Sequence, residues 1–325
     1  VGLLVFRGGE DVTAFVGLRA MEEPAVPLIA IPTAIGCVSG GNASAIIESS
    51  RTGRRLLFSS PCLVPYATVI DPQTTRSLQP LQIGAGALAV VALALDSATS
   101  LAANELGISF SERAIFLAFT WGLRATSSPF DAEARLQLAL ASQLAGMACA
   151  LSRPGSVQAI ANSLSAMCLI PYTLNLAILS PYTLSYHSHK SQSVLARLET
   201  FLRRSDAFAA GEAAVAVQGA GKTTLKELQK EQQEAAQALI ERVKSFSDSL
   251  RQATQNALRG PWRRRFLRRS GAPARRNDFA ARSPAYWHAV RLCLLVRGMD
   301  FTTVWQVYFD ASHRSLLAGL DAGNA

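Results

Sequence analysis

The sequence predicts an α/β N-terminal part followed by an all-α helical domain that carries a long extra helix and a basic arm. Three observations give this. Before residue 80, short apolar runs (Val1–Phe6, Leu28–Ile31 and a run ending at Asp71-Pro72) alternate with small-residue loops, the pattern of strands feeding turns. After Leu81 the chain becomes alanine-rich, with apolar residues at three- and four-residue spacing, the period of a packed helix. From Leu225 to Leu258 it runs without Gly or Pro, and arginines crowd the stretch that follows.

The 325 residues, 49% hydrophobic and 17% charged, suffice for two domains with a sizeable core. The net charge of +9 is local: nine arginines lie between Arg259 and Arg282 against Asp278 alone, which accounts for +8 and confines the basic field to one arm. The five cysteines, Cys37, Cys62, Cys149, Cys168 and Cys293, form no CxxC pair, so buried thiols in a reducing compartment are expected. The chain starts at Val1 inside an apolar run; a processed organellar protein, in a mitochondrion above all, is the expected setting. The longest apolar run, Ile83–Leu95, is 13 residues of mostly Ala, Leu and Val. That is a buried core helix, short of the ~20 residues of a membrane span.

Taken in order, Val1–Phe6 is a strand and Arg7-Gly8-Gly9-Glu10 the loop after it. Residues 12–21 read as a helix with Val12, Phe15, Val16 and Leu18 on its apolar side. Leu28–Ile31 is a buried strand closed by Pro32, followed by the loop Gly36–Ser44 and a second strand ending at Asp71-Pro72. A strand leading into a glycine-rich loop is where an α/β protein lays a phosphate against backbone N–H groups. Candidate helices are Leu81–Leu106, Ser111–Arg124, Ala132–Leu151, Val157–Ala166, Leu174–Leu184 and Gln192–Phe201, punctuated by Pro129, Pro154 and Pro181.

The segments around Thr33-Ala34-Ile35-Gly36-Cys37-Val38-Ser39 and Asp71-Pro72-Gln73-Thr74-Thr75 resemble the iron-containing alcohol dehydrogenase family, the dehydroquinate synthase-like group, whose members carry PTTxGTGSE and DPxLTxxLP. The resemblance implies a nucleotide domain followed by a helical domain, with coverage from Val1 to about Phe201. Gly8, Gly9, Thr33, Gly36 and Ser39 fall on the family's cofactor positions as a vestigial set. In the family's GGGSxxDxxK pattern, Arg7 takes a glycine, Glu10 the serine, Thr13 the aspartate and Val16 the lysine, and a carboxylate facing a diphosphate repels it. Cys37 replaces a threonine, Gly40 an acidic residue, and the front of the family's nucleotide domain is not in the sequence.

Family members hold a divalent metal with one Asp and three His. The first pair lies four apart on one helix face in a DALxHAxE pattern; with Asp96 on its acid, the ligand positions fall on Ala89 and Leu93. The HAxAxPLG...IPHG stretch places the other two on Gln158 and Tyr172. A hydrocarbon cannot ligate, and amide and phenol are poor stand-ins for imidazole, so no metal is expected. His187 and His189 lie two apart, a spacing that surface histidines also show, and His288 and His313 lie in the tail.

Ala216-Val217-Gln218-Gly219-Ala220-Gly221-Lys222-Thr223 imitates a phosphate loop but lacks a sheet strand before it; Thr224 and Glu227 instead form a T-x-x-E capping box. The helix Leu225–Leu258, roughly 50 Å at about 1.5 Å per residue, has a narrow apolar stripe that suits either a partner helix or its own domain. The arm then offers Arg263, Arg264, Arg265, Arg268, Arg269, Arg275 and Arg276 with Trp262 and Phe266, a set that fits RNA, acidic lipid or an acidic protein surface. The tail Tyr286–Leu320 is amphipathic and aromatic.

Three parts follow: 1–80 as a remnant Rossmann-like domain, 81–210 as the helical domain, and 211–325 as a helical extension. The lost ligands and the added basic material lead to the expectation of a pseudoenzyme, a non-catalytic accessory subunit of a large organellar assembly, with protein partners and no cofactor. A residual NAD(P), an alcohol dehydrogenase-like oxidoreductase and an RNA-associated ribosomal subunit are the alternatives left open.

Overall fold

A computed structural model describes residues 12–18, 27–49, 55–152, 155–168, 171–188, 190–209 and 225–259. The strand Val1–Phe6, the Gly8-Gly9 loop, the 216–223 phosphate-loop imitation, His189, the arginines Arg263 to Arg276 and the aromatic tail lie outside the described residues. As expected, a small α/β part precedes a larger helical one.

The α/β part holds two sheets. In the first, β1 (Gly17–Leu18) runs parallel to β4 (Arg55–Ser59), which pairs antiparallel with β3 (Ser44–Glu48) in the register Ser44↔Ser59 to Glu48↔Arg55. In the second, β2 (Ile29–Ala30) runs parallel to β5 (Ala67–Thr68). These last two are the core of the two strands expected on either side of the glycine loop, but the first is not the buried strand expected: Leu28, Ile29 and Ile31 are 47%, 60% and 56% exposed, because among the described residues β2 pairs with β5 alone. The helix expected over 12–21 is not formed: a 3-10 turn spans Val12–Phe15, and Gly17 then takes φ +120, which ends it and turns the chain into β1. The β3–β4 hairpin is a further departure, since no strand pair was expected between the Gly36–Ser44 loop and the strand ending at Asp71-Pro72. Its β-branched and leucine residues, Ile46, Ile47, Leu56 and Leu57, satisfy strand preference.

Seven helices follow among the described residues. They are α1 (Pro80–Ala98), α2 (Glu105–Ser127), α3 (Ala132–Ser152), α4 (Ser156–Cys168), α5 (Tyr172–His187), α6 (Gln192–Ala209) and α7 (Leu225–Arg259). Each sequence-expected helix has its counterpart, with two corrections. The first stops at Ala98 rather than Leu106, because the Ser100 N–H turns back to Ser97 O at 3.3 Å and the Ser100 hydroxyl donates to Ser152 O at 2.6 Å. Asn104 then caps α2 by accepting the Gly107 N–H at 2.9 Å. Pro181 does not punctuate; it sits inside α5.

Helix α1 is the centre. All of it except Leu81 and Gln82 is buried, and α2, α3, α4, α5 and α7 pack around it. It is long and apolar enough to cross a membrane, yet 89% of its most apolar window is buried inside the fold, which is the situation of a core helix. Helix α7 lies along the domain, burying Ala236, Leu239, Ile240, Val243, Phe246 and Leu250. Phe246 meets Phe119 of α2 edge-on, with ring centroids 4.7 Å apart. Of the two readings of its narrow stripe, packing on its own domain is the one formed.

The glycines of α1 admit the loop that follows β2. A methyl on Gly86 would lie 2.6 Å from Ile35 O and 2.8 Å from Ile35 C, both backbone atoms that cannot yield. Gly86→Ala is therefore expected to cost on the order of 1–3 kcal/mol as overpacking. Gly107→Ala, where the nearest atoms are 3.5 Å away, should leave stability level or slightly raised; thermal melts of the two variants check the contrast.

Candidate functional site

Two polar clamps fix the loops beside α1. Asp71 accepts the Gln73 N–H at 2.8 Å, Thr74 donates to Pro32 O at 2.7 Å, and Thr68 donates to Gly40 O at 2.7 Å, which ties the Asp71-Pro72 segment to the glycine loop. Arg135 of α3, 2% exposed, donates to Pro129 O and to the carbonyl and hydroxyl of Thr75. Burial first, and the charge of Arg76 second, pull its guanidinium down to about 10.

The glycine loop itself is packed more than it is open. Gly36 adopts φ +79, a conformation glycine supplies, and its N–H donates to Ser142 Oγ of α3 at 2.9 Å. Gly36 and Gly40 are buried, whereas Thr33 and Ser39 face solvent, Ser39 Oγ lying 3.0 Å from Cys37 Sγ. Of the vestigial cofactor set, two hydroxyls are thus accessible, one glycine is structural, and Gly8 and Gly9 lie outside the described residues.

The second centre forms where α1, α3, α4, α5 and β4 meet. Ala89 and Leu93 share one face of α1 and are fully buried in the apolar core. Asp96, one turn on, aims its carboxylate at the start of α4: Oδ1 accepts the Val157 N–H at 3.2 Å and Oδ2 the Gln158 N–H at 3.3 Å. A carboxylate there satisfies orphan donors and matches the helix dipole. Gly155 leaves it room, because a side chain on that residue would collide with the carboxylate.

Gln158 is 6% exposed, and Tyr172 opens α5 beside it. The Tyr172 phenol is pushed well above its ordinary range, chiefly by burial. The Gln158 amide opposes that shift, Cys149 and Asp96 add to it, and Arg55 opposes it. Cys149 donates to Leu93 O at 3.7 Å, and burial, with Asp96 second, pushes its thiol up to about 12. The structure thus brings Gln158 and Tyr172 together, with Leu93 reaching the same neighbourhood through Cys149.

Iron does not fit this donor set. Two of the four family positions are hydrocarbon, the others are a neutral amide and a phenol held in its protonated form, and among the described residues no three His, Cys, Asp or Glu side chains are grouped to hold an ion. Sequence reasoning missed Arg55, which begins β4 of the unforeseen hairpin, and Asn162. Asn162 was within reach, since it lies four residues after Gln158 and so on the same helix face.

Comparison with known proteins places this architecture. The family model for the Fe-containing alcohol dehydrogenase family, C-terminal part, matches residues 85–257, just over half of the chain, from α1 to the end of α7. Alcohol dehydrogenase 4 of Schizosaccharomyces pombe is 29% identical over 188 residues, 58% of this chain and 44% of that protein. Aldehyde-alcohol dehydrogenase 2 of Entamoeba histolytica is 29% identical over 167 residues, 51% and 19% respectively. The chain therefore spans less than half the length of these relatives. Among solved structures, the alcohol dehydrogenase from Oenococcus oeni matches with a TM-score of 0.64 at 22% identity, covering 76% of this chain and 59% of that one. The sulfoacetaldehyde reductase from Bifidobacterium kashiwanohense, solved with NAD+, matches at 0.52 with 17% identity, covering 73% and 69%.

These findings overturn the expectation of a pseudoenzyme serving as an organellar accessory subunit: the similar proteins are alcohol and aldehyde-alcohol dehydrogenases. They equally overturn the expectation of no cofactor, since the family is one of dehydrogenases and a protein of this fold holds NAD+.

The Asp96 contact is the test of this centre's architecture. Asp96→Ala leaves the Val157 and Gln158 N–H groups without their acceptor and should cost about 1–3 kcal/mol, read by chemical denaturation.

Proposed function

We propose that this chain, which belongs to the Fe-containing alcohol dehydrogenase family, is an oxidoreductase that moves a hydride between a nicotinamide nucleotide and an alcohol or its aldehyde. The observation that carries the reading is the family match across α1 to α7, the helices that build the second centre; similar proteins of 27 to 29% identity bear the name alcohol dehydrogenase. The family's iron does not fit the residues at its four positions, so no step is routed through a metal here.

What the chain's own residues do is bind and orient. The solvent-facing hydroxyls of Thr33 and Ser39 donate to the phosphates of the nucleotide. The Gly36 N–H is already engaged by Ser142, so hydroxyls rather than that amide provide the donors. The small residues of α1 hold the loop in position beneath them, because Ile35 rests directly on Gly86.

The test is hydride transfer by the purified chain, with a panel of primary alcohols against NAD+ and NADP+ and of aldehydes against NADH and NADPH. Turnover with one nucleotide is expected. A folded chain that neither turns over nor binds nucleotide at millimolar concentration refutes the reading. Because a hydrogen bond to a charged group contributes about 1.5–3 kcal/mol, Ser39→Ala should raise KM for the nucleotide about tenfold or more while leaving KM for the alcohol level.

A further inference from the structure

Four side-chain polar atoms around the second centre are shut away from solvent without a hydrogen-bond partner: Arg55 Nε, Gln158 Oε1, Asn162 Oδ1 and Tyr172 Oη. Each buried polar atom left unpaired costs roughly 1–3 kcal/mol, and such atoms are few in native proteins. Here the four share one neighbourhood. Gln158 and Asn162 lie one turn apart on the same face of α4. Tyr172 begins α5, which packs on α4, and Arg55 begins β4, which touches α4. Arg55 acts on the phenol through its charge and Gln158 through its side-chain amide.

The chemistry of the set selects its ligand. It offers a neutral O–H donor, two carbonyl acceptors and one cationic N–H, and no thiolate, imidazole or carboxylate aimed inward, because Asp96 is committed to the start of α4. Such a set is poor for a cation and complementary to a neutral oxygen that both accepts and donates hydrogen bonds. A carbonyl oxygen that becomes a hydroxyl is that ligand.

We propose that in this chain the Tyr172 hydroxyl takes the place of the metal, donating its proton to the carbonyl oxygen of an aldehyde while the reduced nicotinamide delivers hydride. This rests on the oxidoreductase reading above. In the step, the C–H bond of the reduced nicotinamide breaks and its electron pair forms the C–H bond of the product. The carbonyl π pair moves to oxygen, which takes the Tyr172 proton. The nucleotide is oxidised, the aldehyde becomes a primary alcohol, and the phenolate recovers a proton from water. Arg55 holds the transient phenolate, and Gln158 Oε1 with Asn162 Oδ1 accept the new hydroxyl.

The experiment uses the full chain in chelator-treated buffer, with metal content, turnover and melting temperature measured on wild type, Tyr172→Phe and Gln158→Leu. Turnover should persist without stoichiometric iron or zinc. Tyr172→Phe should lower kcat by about 100-fold or more, the loss typical of one donor to a developing oxyanion, with KM for the nucleotide level. Its melting temperature should equal or exceed that of wild type, because an unpaired buried hydroxyl has been removed. A primary alcohol should raise the melting temperature of wild type and not of Tyr172→Phe. Activity lost to the chelator and restored by iron or zinc overturns the proposal, as does wild-type kcat in Tyr172→Phe. If no variant turns over yet the alcohol stabilises wild type alone, the oxidoreductase reading falls while the oxygen site stands; absence of both effects overturns the site as well.

Discussion

The placement of α1 inside the helical domain governs everything else in it. A helix enclosed by α2, α3, α4, α5 and α7 has no solvent-facing stripe, so its side chains must be apolar and many must be small. The run from Gly84 to Ala89 meets that demand: Gly84 faces Thr254 and Thr126, Gly86 faces Ile35, and Ala87 lies beside Gly122 under the ring of Phe246. Close approach at these points is what brings the N-terminal loop, α2 and α7 to a common centre. The same enclosure fixes Asp96 at the end of α1 against the start of α4, and so sets where Gln158 and Tyr172 stand.

Enclosure also explains which polar interactions the fold can sustain. Exposed pairs such as Arg197 with Glu105 and Glu112, which link α6 to α2 at 2.6 and 2.9 Å, contribute little in water. The buried polar groups are different in kind. Ser142, Arg135 and Asp96 each bond backbone groups of another element across 60 or more residues of sequence, so each joins a loop or helix start to the core and cannot be lost without leaving an orphan behind.

Helix existence was legible because a 3.6-residue period is written locally; the six expected helices between Leu81 and Phe201 all form, with ends displaced where Ser100 and Asn104 intervene. The hairpin was not legible, since Arg55 and the residues beside it read as charge rather than as strand, and its partners are decided by pairing with β1 and β3. The positions of Gln158 and Tyr172 came from resemblance alone. Their convergence with Arg55 depends on contacts across more than 100 residues, which no local pattern contains. The functional inference failed at the same point, for substituted ligands say what a site no longer holds and are silent on what replaces it.

The four substituted positions are not equivalent, and the difference bears on what the site does. Ala89 and Leu93 have been absorbed into the apolar core, where a carboxylate left without a cation would be an uncompensated buried charge. Gln158 and Tyr172 have not been absorbed. Had the centre become mere packing, apolar side chains of similar volume would remove the penalty of their unpaired oxygens. Instead the amide and the phenol stay polar, next to Arg55 Nε and Asn162 Oδ1, which also lack a hydrogen-bond partner. The polar character kept at Gln158 and Tyr172, in contrast to Ala89 and Leu93, is what separates this centre from ordinary core packing.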